Sequence, residues 1–101
     1  MIGNNIHQFA QQLWPINRSI TGEGVRETLK RISKHIPGLK IKSVPSGTRA
    51  FDWTVPKEWS IKEAYIITPK GKKICDFSKN NLHILGYSIP FQGVISFDEL
   101  K

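Results

Sequence analysis

Apolar residues recur at helical spacing in two stretches of the first third of the chain. The first stripe consists of Ile2, Ile6, Phe9 and Leu13, and the second of Val25, Leu29, Ile32 and Ile36. Intervals of three and four residues place each set on one face of a helix. The pattern predicts a first helix from about Asn4 to Trp14, ended by Pro15, and a second that is stopped by Pro37–Gly38. Two stripes of matching length joined by a short link predict a helical pair that buries a common face.

Beyond residue 38 the pattern changes to the alternation of β-strands. Residues 39–44 alternate apolar and polar positions, and so does the aromatic stretch at 45–59, where Phe51, Trp53 and Val55 fall on one face. Such alternation predicts half-buried strands. Phe51 and Trp53, with Trp59 as a further anchor, are the predicted structural core.

The remaining apolar runs predict a hairpin and one more strand. Residues 64–68 and 73–77 flank Pro69-Lys70-Gly71-Lys72, which is turn chemistry, and a strand is expected from Leu82 to about Ser88. The predicted fold class is α+β, a helical pair followed by a mostly antiparallel β-rich module.

The predicted elements divide the chain into three parts. Residues 1–38 form the helical pair, residues 39–95 the β-rich part and residues 96–101 the start of a helix. Ser96 and Glu99 have the spacing of a capping box, which announces a helix just before the sequence ends. Because one helical turn is marginal by itself, we expect the sequence to be a fragment, cut inside an element of a larger protein.

Composition narrows the possible partners and compartment. The formal net charge is +7, but the only tight basic cluster is Lys70, Lys72 and Lys73 at the predicted turn. A nucleic-acid binder is expected to carry a basic stripe, so nucleic acid is an unlikely partner. No run of about 18 apolar residues is present, which predicts no membrane span. The single Cys75 cannot form an internal disulfide and favours a reducing, cytoplasmic location.

The residues capable of catalysis or metal binding are few and scattered. His7, His35, His83 and Cys75 lack the close pairing typical of zinc ligands, so we expect no metal site and no catalytic residue in this chain. Cys75 lies in a strand pattern and is expected to be a buried, inert thiol. A catalytic role for Asp52 is less favoured than pairing with Arg49 or binding backbone groups of the turn at 45–48.

The link between the predicted helices is the best candidate for binding a ligand. Arg18 offers a planar donor fork, Ser19 and Thr21 offer hydroxyl groups, and Gly22 permits close approach to the backbone. Two glycines, Gly22 and Gly24, are unusual at the start of a helix and indicate either a close neighbour or a positive φ. Capping of the second helix by Ser19 or Thr21 is the competing, favoured interpretation.

Three segments carry a family resemblance. LWPINRSITGEGVRETL at 13–29, VPSGTRAFDWTVPKEWSIKEAYI at 44–66 and DFSKNNLHILGYSIP at 76–90 resemble the zinc-aminopeptidase-like family of polysaccharide biosynthesis proteins with an aminopeptidase-like domain. The resemblance covers nearly the whole chain. It implies the N-terminal helices and an inserted β-rich domain of a longer α/β zinc-peptidase-like protein, whose presumed ligands lie beyond residue 101.

The resemblance implies a function for the longer protein that this chain alone would lack. The full-length family is expected to use zinc for hydrolysis of an amide bond, with no cofactor held in this chain. The expected partner is the missing peptidase domain, or another copy through self-association. The alternative is a stand-alone, non-catalytic module that binds a ligand or a protein.

Overall fold

Two amphipathic helices form where the apolar stripes predict them. The computed structural model describes every residue from Met1 to Lys101, with α1 at Ile2–Leu13 and α2 at Glu23–Ser33. Trp14, next to Pro15, keeps helical backbone angles and caps the end of α1 by donating its backbone N–H to the carbonyl of Ala10. The predicted helices are thereby confirmed, but the prediction that they bury a common face is wrong, because neither helix has a buried residue.

Neither hydroxyl of the link caps α2, so that prediction is wrong. The N-cap position is Gly22, at φ 127°, and no side chain donates or accepts there. A glycine can occupy this backbone conformation because it has no Cβ, whereas threonine or serine would be strained. Ser19 and Thr21 are thus left for contacts with distant parts of the chain.

The β-structure consists of two separate antiparallel hairpins. The first pairs β1, Arg49–Ala50, with β2, Trp53–Thr54, and the second pairs β3, Ile66–Ile67, with β4, Lys73–Ile74. The second hairpin confirms the predicted turn, and its Gly71 adopts φ 78°. With three α-helices and two small antiparallel sheets, the fold class is α+β, as predicted.

The aromatic stretch does not form the predicted strand or core. Phe51 lies at the tip between β1 and β2 with φ 56°, which breaks the alternation, and its side chain is 99% exposed. Trp53 is 46% exposed, and only Val55 of the alternating set is buried. The alternation predicts one continuous strand, but a two-residue turn reverses the chain in the middle of it and leaves two short strands.

Two further predicted strands are absent. Residues 39–44 are exposed and form no ladder, and the segment after Asn80 is a 3₁₀ turn at Asn81–His83. Asn80 starts this turn because its side-chain oxygen accepts from the N–H of Leu82 at 2.9 Å. Local hydrogen bonding by asparagine competes with strand formation and prevails here.

The short helix at the end of the sequence is present. α3 covers Phe97–Leu100, and Ser96 and Glu99 form the reciprocal capping box that their spacing predicts. The capping-box spacing was therefore a better guide at this end of the chain than alternation was at residues 39–59.

The chain forms a flat, open layer with almost no interior. Its radius of gyration is 17.8 Å, whereas a compact domain of this length has about 13 Å. Its accessible surface is 9090 Å², against about 5,800 Å² for a folded monomer of this mass. Val55 and Gly22 are the only buried residues. None of the helices has the length and apolar character needed to cross a bilayer.

Candidate functional site

Distant parts of the chain meet where the link between α1 and α2 contacts Trp59. We call this region the junction and define it as residues 18–24, residues 58–59 and residues 87–88. A Cβ added to Gly22 would lie 2.7 Å from the carbonyl oxygen of Trp59, and one added to Gly24 would lie 1.7 Å from that of Asn17. The two glycines are therefore required by close backbone approach, as their unusual position predicts.

Trp59 holds the junction together through both its backbone and its ring. Its carbonyl oxygen accepts from Ser19 Oγ at 3.1 Å, and its Nε1 donates to the carbonyl of Ser88 at 3.0 Å. The indole also lies against the ring of Tyr87, with 6.2 Å between ring centroids. Trp59 thus connects the helical link to residues 87–88, and it is the only one of the three predicted core aromatics with such a role.

The hydroxyl groups of the link face one another and the aromatic residues. Ser19 Oγ also contacts the carbonyl of Thr21, and Thr21 Oγ1 lies 3.5 Å from the hydroxyl of Tyr87. A hydroxyl can both donate and accept, so this group of oxygens can satisfy itself without a bound ligand.

Arg18 fixes the link to both helices. Its guanidinium donates to the carbonyl of Leu13 at 2.8 Å and to Thr28 Oγ1 at 3.4 Å. The first bond satisfies a carbonyl at the end of α1, where intrahelical partners run out. The structure thus brings together Arg18, Ser19, Thr21 and Gly22, but engages their polar groups within the chain. Their role in substrate binding stays a prediction.

A charged cluster lies beside the junction. Arg26 of α2 forms a salt bridge with Glu23 at 2.6 Å and a second, close one with Glu58, the residue before Trp59. The hydrogen bond from Arg26 lowers the pKa of Glu58, and the bond to Glu58 chiefly raises the pKa of Arg26. This salt bridge could not be predicted from the sequence, because Arg26 and Glu58 are 32 residues apart and no local pattern relates them.

A polar hollow of about 250 Å³ lies between the end of α1 and the second half of α2. It is lined by Gln12, Glu27, Lys30, Arg31, Lys34 and His35. Arg31 closes one side by donating to the backbone carbonyl of Gln12 at 2.7 Å and to Glu27 at 2.8 Å. The pKa of Glu27 is lowered by its bond from Arg31. The hollow is thus a point where the two helices are tied together.

The three histidines lie apart, each in a different setting. His7 shares a hydrogen bond with Gln11, His35 packs edge-on against Phe9 with 4.5 Å between ring centroids, and His83 lies in the 3₁₀ turn. His83 therefore does not lie in the strand predicted from Leu82 to about Ser88, since no strand forms there. Nowhere do three histidine, cysteine or acidic side chains converge as metal ligands would.

Two other expectations about single residues are wrong. Cys75 is exposed, with φ 50°, because β4 ends at Ile74 and the chain turns away. Asp52 does not pair with Arg49, whose Nε instead donates to the carbonyl of Phe51 at 3.0 Å. In the turn at 45–48, the backbone N–H groups of Gly47 and Thr48 donate instead to the carbonyls of Val55 and Pro45.

Comparison with known proteins places this arrangement in a family. The model of a domain of unknown function, DUF4910, matches residues 7–100. The chain belongs to this family.

The family member is similar to a larger protein from Clostridium acetobutylicum. It is 54% identical over 99 residues to a "putative polysaccharide biosynthesis protein with aminopeptidase-like domain" from that organism. The match covers 98% of this chain and 23% of the relative, so the chain spans about a quarter of the relative's length.

A solved structure has the same open arrangement. The crystal structure of a "putative peptidase" from Clostridium acetobutylicum matches 98% of this chain at a TM-score of 0.91 and 54% identity, and the match covers 23% of that chain. The resemblance to an aminopeptidase-like protein of greater length is thereby confirmed. The flat shape is shared with a segment of a larger molecule.

Proposed function

We propose that this chain is the N-terminal, non-catalytic part of an aminopeptidase-like amide hydrolase. The observation that carries the proposal is the match to 23% of a peptidase-like chain at a TM-score of 0.91. A segment this similar serves the same structural role in the longer protein, and its open shape suits a part that packs against a larger body.

The role of this part would be to hold the helical pair and the β-hairpins in a fixed arrangement. This is supported by hydrogen bonds that connect residues far apart in sequence, those of Ser19 and Trp59 in the junction and that of Arg26 beside it. A free cysteine that is exposed rather than bridged supports a reducing compartment, the cytoplasm, as its location.

Zinc is the metal that the resemblance implies for the longer protein, and the residues of this chain do not fit it. The imidazole of His7 is hydrogen-bonded to Gln11, and that of His35 packs against Phe9. Neither ring belongs to a group of three potential metal ligands. We therefore propose that any metal ligands belong to the remainder of the longer protein.

The proposal can be tested with a chimera. Residues 1–101 would replace the matching segment of the Clostridium acetobutylicum relative, and the 101-residue chain alone would serve as the comparison. We expect both the relative and the chimera to hydrolyse aminoacyl amides, and the chain alone to be inactive. Hydrolysis by the chain alone, lost on His7→Ala or His35→Ala substitution, would contradict the proposal.

The same experiment addresses the alternative of a stand-alone binding module. A chimera that folds but is inactive, while the relative is active, would mean that this chain has diverged from the catalytic assembly. The junction hydroxyls of Thr21 and Tyr87, 3.5 Å apart, would then be the first place to look for a ligand.

A further inference from the structure

One segment of the chain exposes large apolar side chains along its whole length. We call residues 80–97 the arm. Six of its apolar side chains are between 70% and 102% exposed: Leu82, Leu85, Ile89, Phe91, Val94 and Phe97. Single exposed apolar residues are ordinary on protein surfaces, but a continuous series of them marks an interaction site.

The arm also lacks charge. Lysine, arginine, aspartate and glutamate make up 23% of the chain, yet none occurs between Lys79 and Asp98. A solvated segment of this length is expected to carry several charges, whereas the centre of a protein interface is depleted of them. The composition of the arm is therefore that of an interface.

The first half of the arm is held in place although its apolar side chains are exposed. Asn81 Nδ2 donates to the carbonyl of Trp14 at 2.8 Å, and the carbonyl of Ser88 accepts from Trp59 Nε1. The Ser88 hydroxyl also donates to the carbonyl of Leu85 at 2.6 Å. These contacts fix residues 81–88, the first half of the arm, before any partner binds, which lowers the ordering cost of association for that half.

The amount of surface left open matches a large, permanent interface. The chain exposes 9090 Å², roughly 3,000 Å² more than a folded monomer of its mass. Permanent interfaces bury about 2,000–5,000 Å² in total over both partners, or roughly 1,000–2,500 Å² on each, whereas transient ones bury much less. A small peptide could not cover this excess.

We propose that the arm is the surface by which this chain docks on the body of an aminopeptidase-like protein, the kind that makes up the rest of the matched peptidase chain. This inference rests on the proposed function, because the partner is the remainder of that longer protein. The body would meet the arm with an uncharged, apolar surface that covers Ile89, Phe91 and Val94.

Thiol labelling of the chimera tests the docking without disrupting the fold. In a Cys75→Ser background, Val94→Cys places one thiol on the arm, and Lys70→Cys places one at the solvated tip of the second hairpin as the matched control. Labelling rates would be compared between the 101-residue chain at low concentration and the chimera. We expect Val94→Cys to react at least about tenfold more slowly in the chimera and Lys70→Cys to react equally in both.

The possible results distinguish the docking of the arm from the proposed function of the chain. Equal labelling of Val94→Cys in both proteins would overturn the docking, even if the chimera hydrolyses its substrate. Slow labelling in an inactive chimera would support the docking and contradict the proposed function. Protection of Val94→Cys in the isolated chain that rises with concentration, from about 1 to 100 µM, would assign the arm to a second copy and overturn the proposal.

Discussion

The junction and the first hairpin differ in what holds each of them. At the junction, backbone atoms from separate segments approach so closely that Gly22 and Gly24 cannot carry a side chain, and Trp59 bonds at two ends. The first hairpin, β1 and β2, is held by its own ladder, and its aromatic tip, Phe51, touches solvent. Steric fit and distant hydrogen bonds fix the first region, whereas hydrogen bonds between its own two strands fix the second.

The largest expected effect is that of Gly24→Ala. The added Cβ would overlap the carbonyl oxygen of Asn17 at 1.7 Å, so the link must move away from α2. We expect a loss of about 3 kcal/mol or more, at the upper end for overpacking. The measurement is the urea midpoint by tryptophan fluorescence. Gly3→Ala, which meets no atom within 4 Å, is the control and should not destabilise the chain. Equal midpoints for both variants would show that the junction is not tightly packed.

A smaller loss is expected for Trp59→Phe. The phenyl ring preserves most of the packing on Tyr87 but removes the Nε1 donor, leaving the carbonyl of Ser88 without its partner. The expected cost is about 1–2 kcal/mol. Trp14→Phe is the matched control, since Trp14 is 58% exposed and its indole has no such bond. If the two substitutions have the same effect in thermal unfolding, Trp59 does not organise the junction.

The Arg26–Glu58 pair makes the junction sensitive to acid. The pKa of Glu58 is lowered in the folded chain, so its contribution to stability is present above the usual glutamate value of 4.5 and is lost as pH falls through the folded pKa. We expect Glu58→Gln to destabilise the chain at pH 7 and to match the wild type in strong acid. Both partners are half exposed, so the effect is modest. Glu63→Gln, which removes no salt bridge, should follow the wild type at every pH, and a pH-independent gap for Glu58→Gln would rule out the ion pair as its cause.

The smallest effect is expected at the hairpin tip. Phe51→Ala removes a ring that is 99% exposed, so the change in the free energy of unfolding should stay within about 0.5 kcal/mol. Phe9→Ala is the informative comparison, because that ring is half-buried and packs on His35, and it should cost clearly more. A large loss at Phe51 in the isolated chain would mean that the tip has a partner within the chain after all.

Residue types with strong local chemistry made parts of this fold predictable. The two apolar stripes, the turn at 69–72 and the Ser96–Glu99 capping box all act over a few residues, and the structure contains each of them. The two unusual glycines likewise pointed to the close approach at the junction. In each case a single short-range requirement determines the backbone.

Alternation failed because it reports which residues would share a face and not whether a strand has a neighbour. Residues 39–44, which alternate, and the strand predicted from Leu82 to about Ser88 find no partner strand within this chain. The partners of Trp59 and Arg26 could not be inferred either, because contacts between residues 29 and 32 positions apart leave no periodic pattern.

The wide sequence separations at the junction also determine the order in which the chain can fold. Helices and short hairpins close small loops and form within microseconds, whereas Ser19 and Trp59 are 40 residues apart and Thr21 and Tyr87 are 66 apart. Closing such loops costs entropy before their bonds compensate for it. The junction is therefore expected to assemble last, after α1, α2 and both hairpins, and to be the first part to open when the chain unfolds.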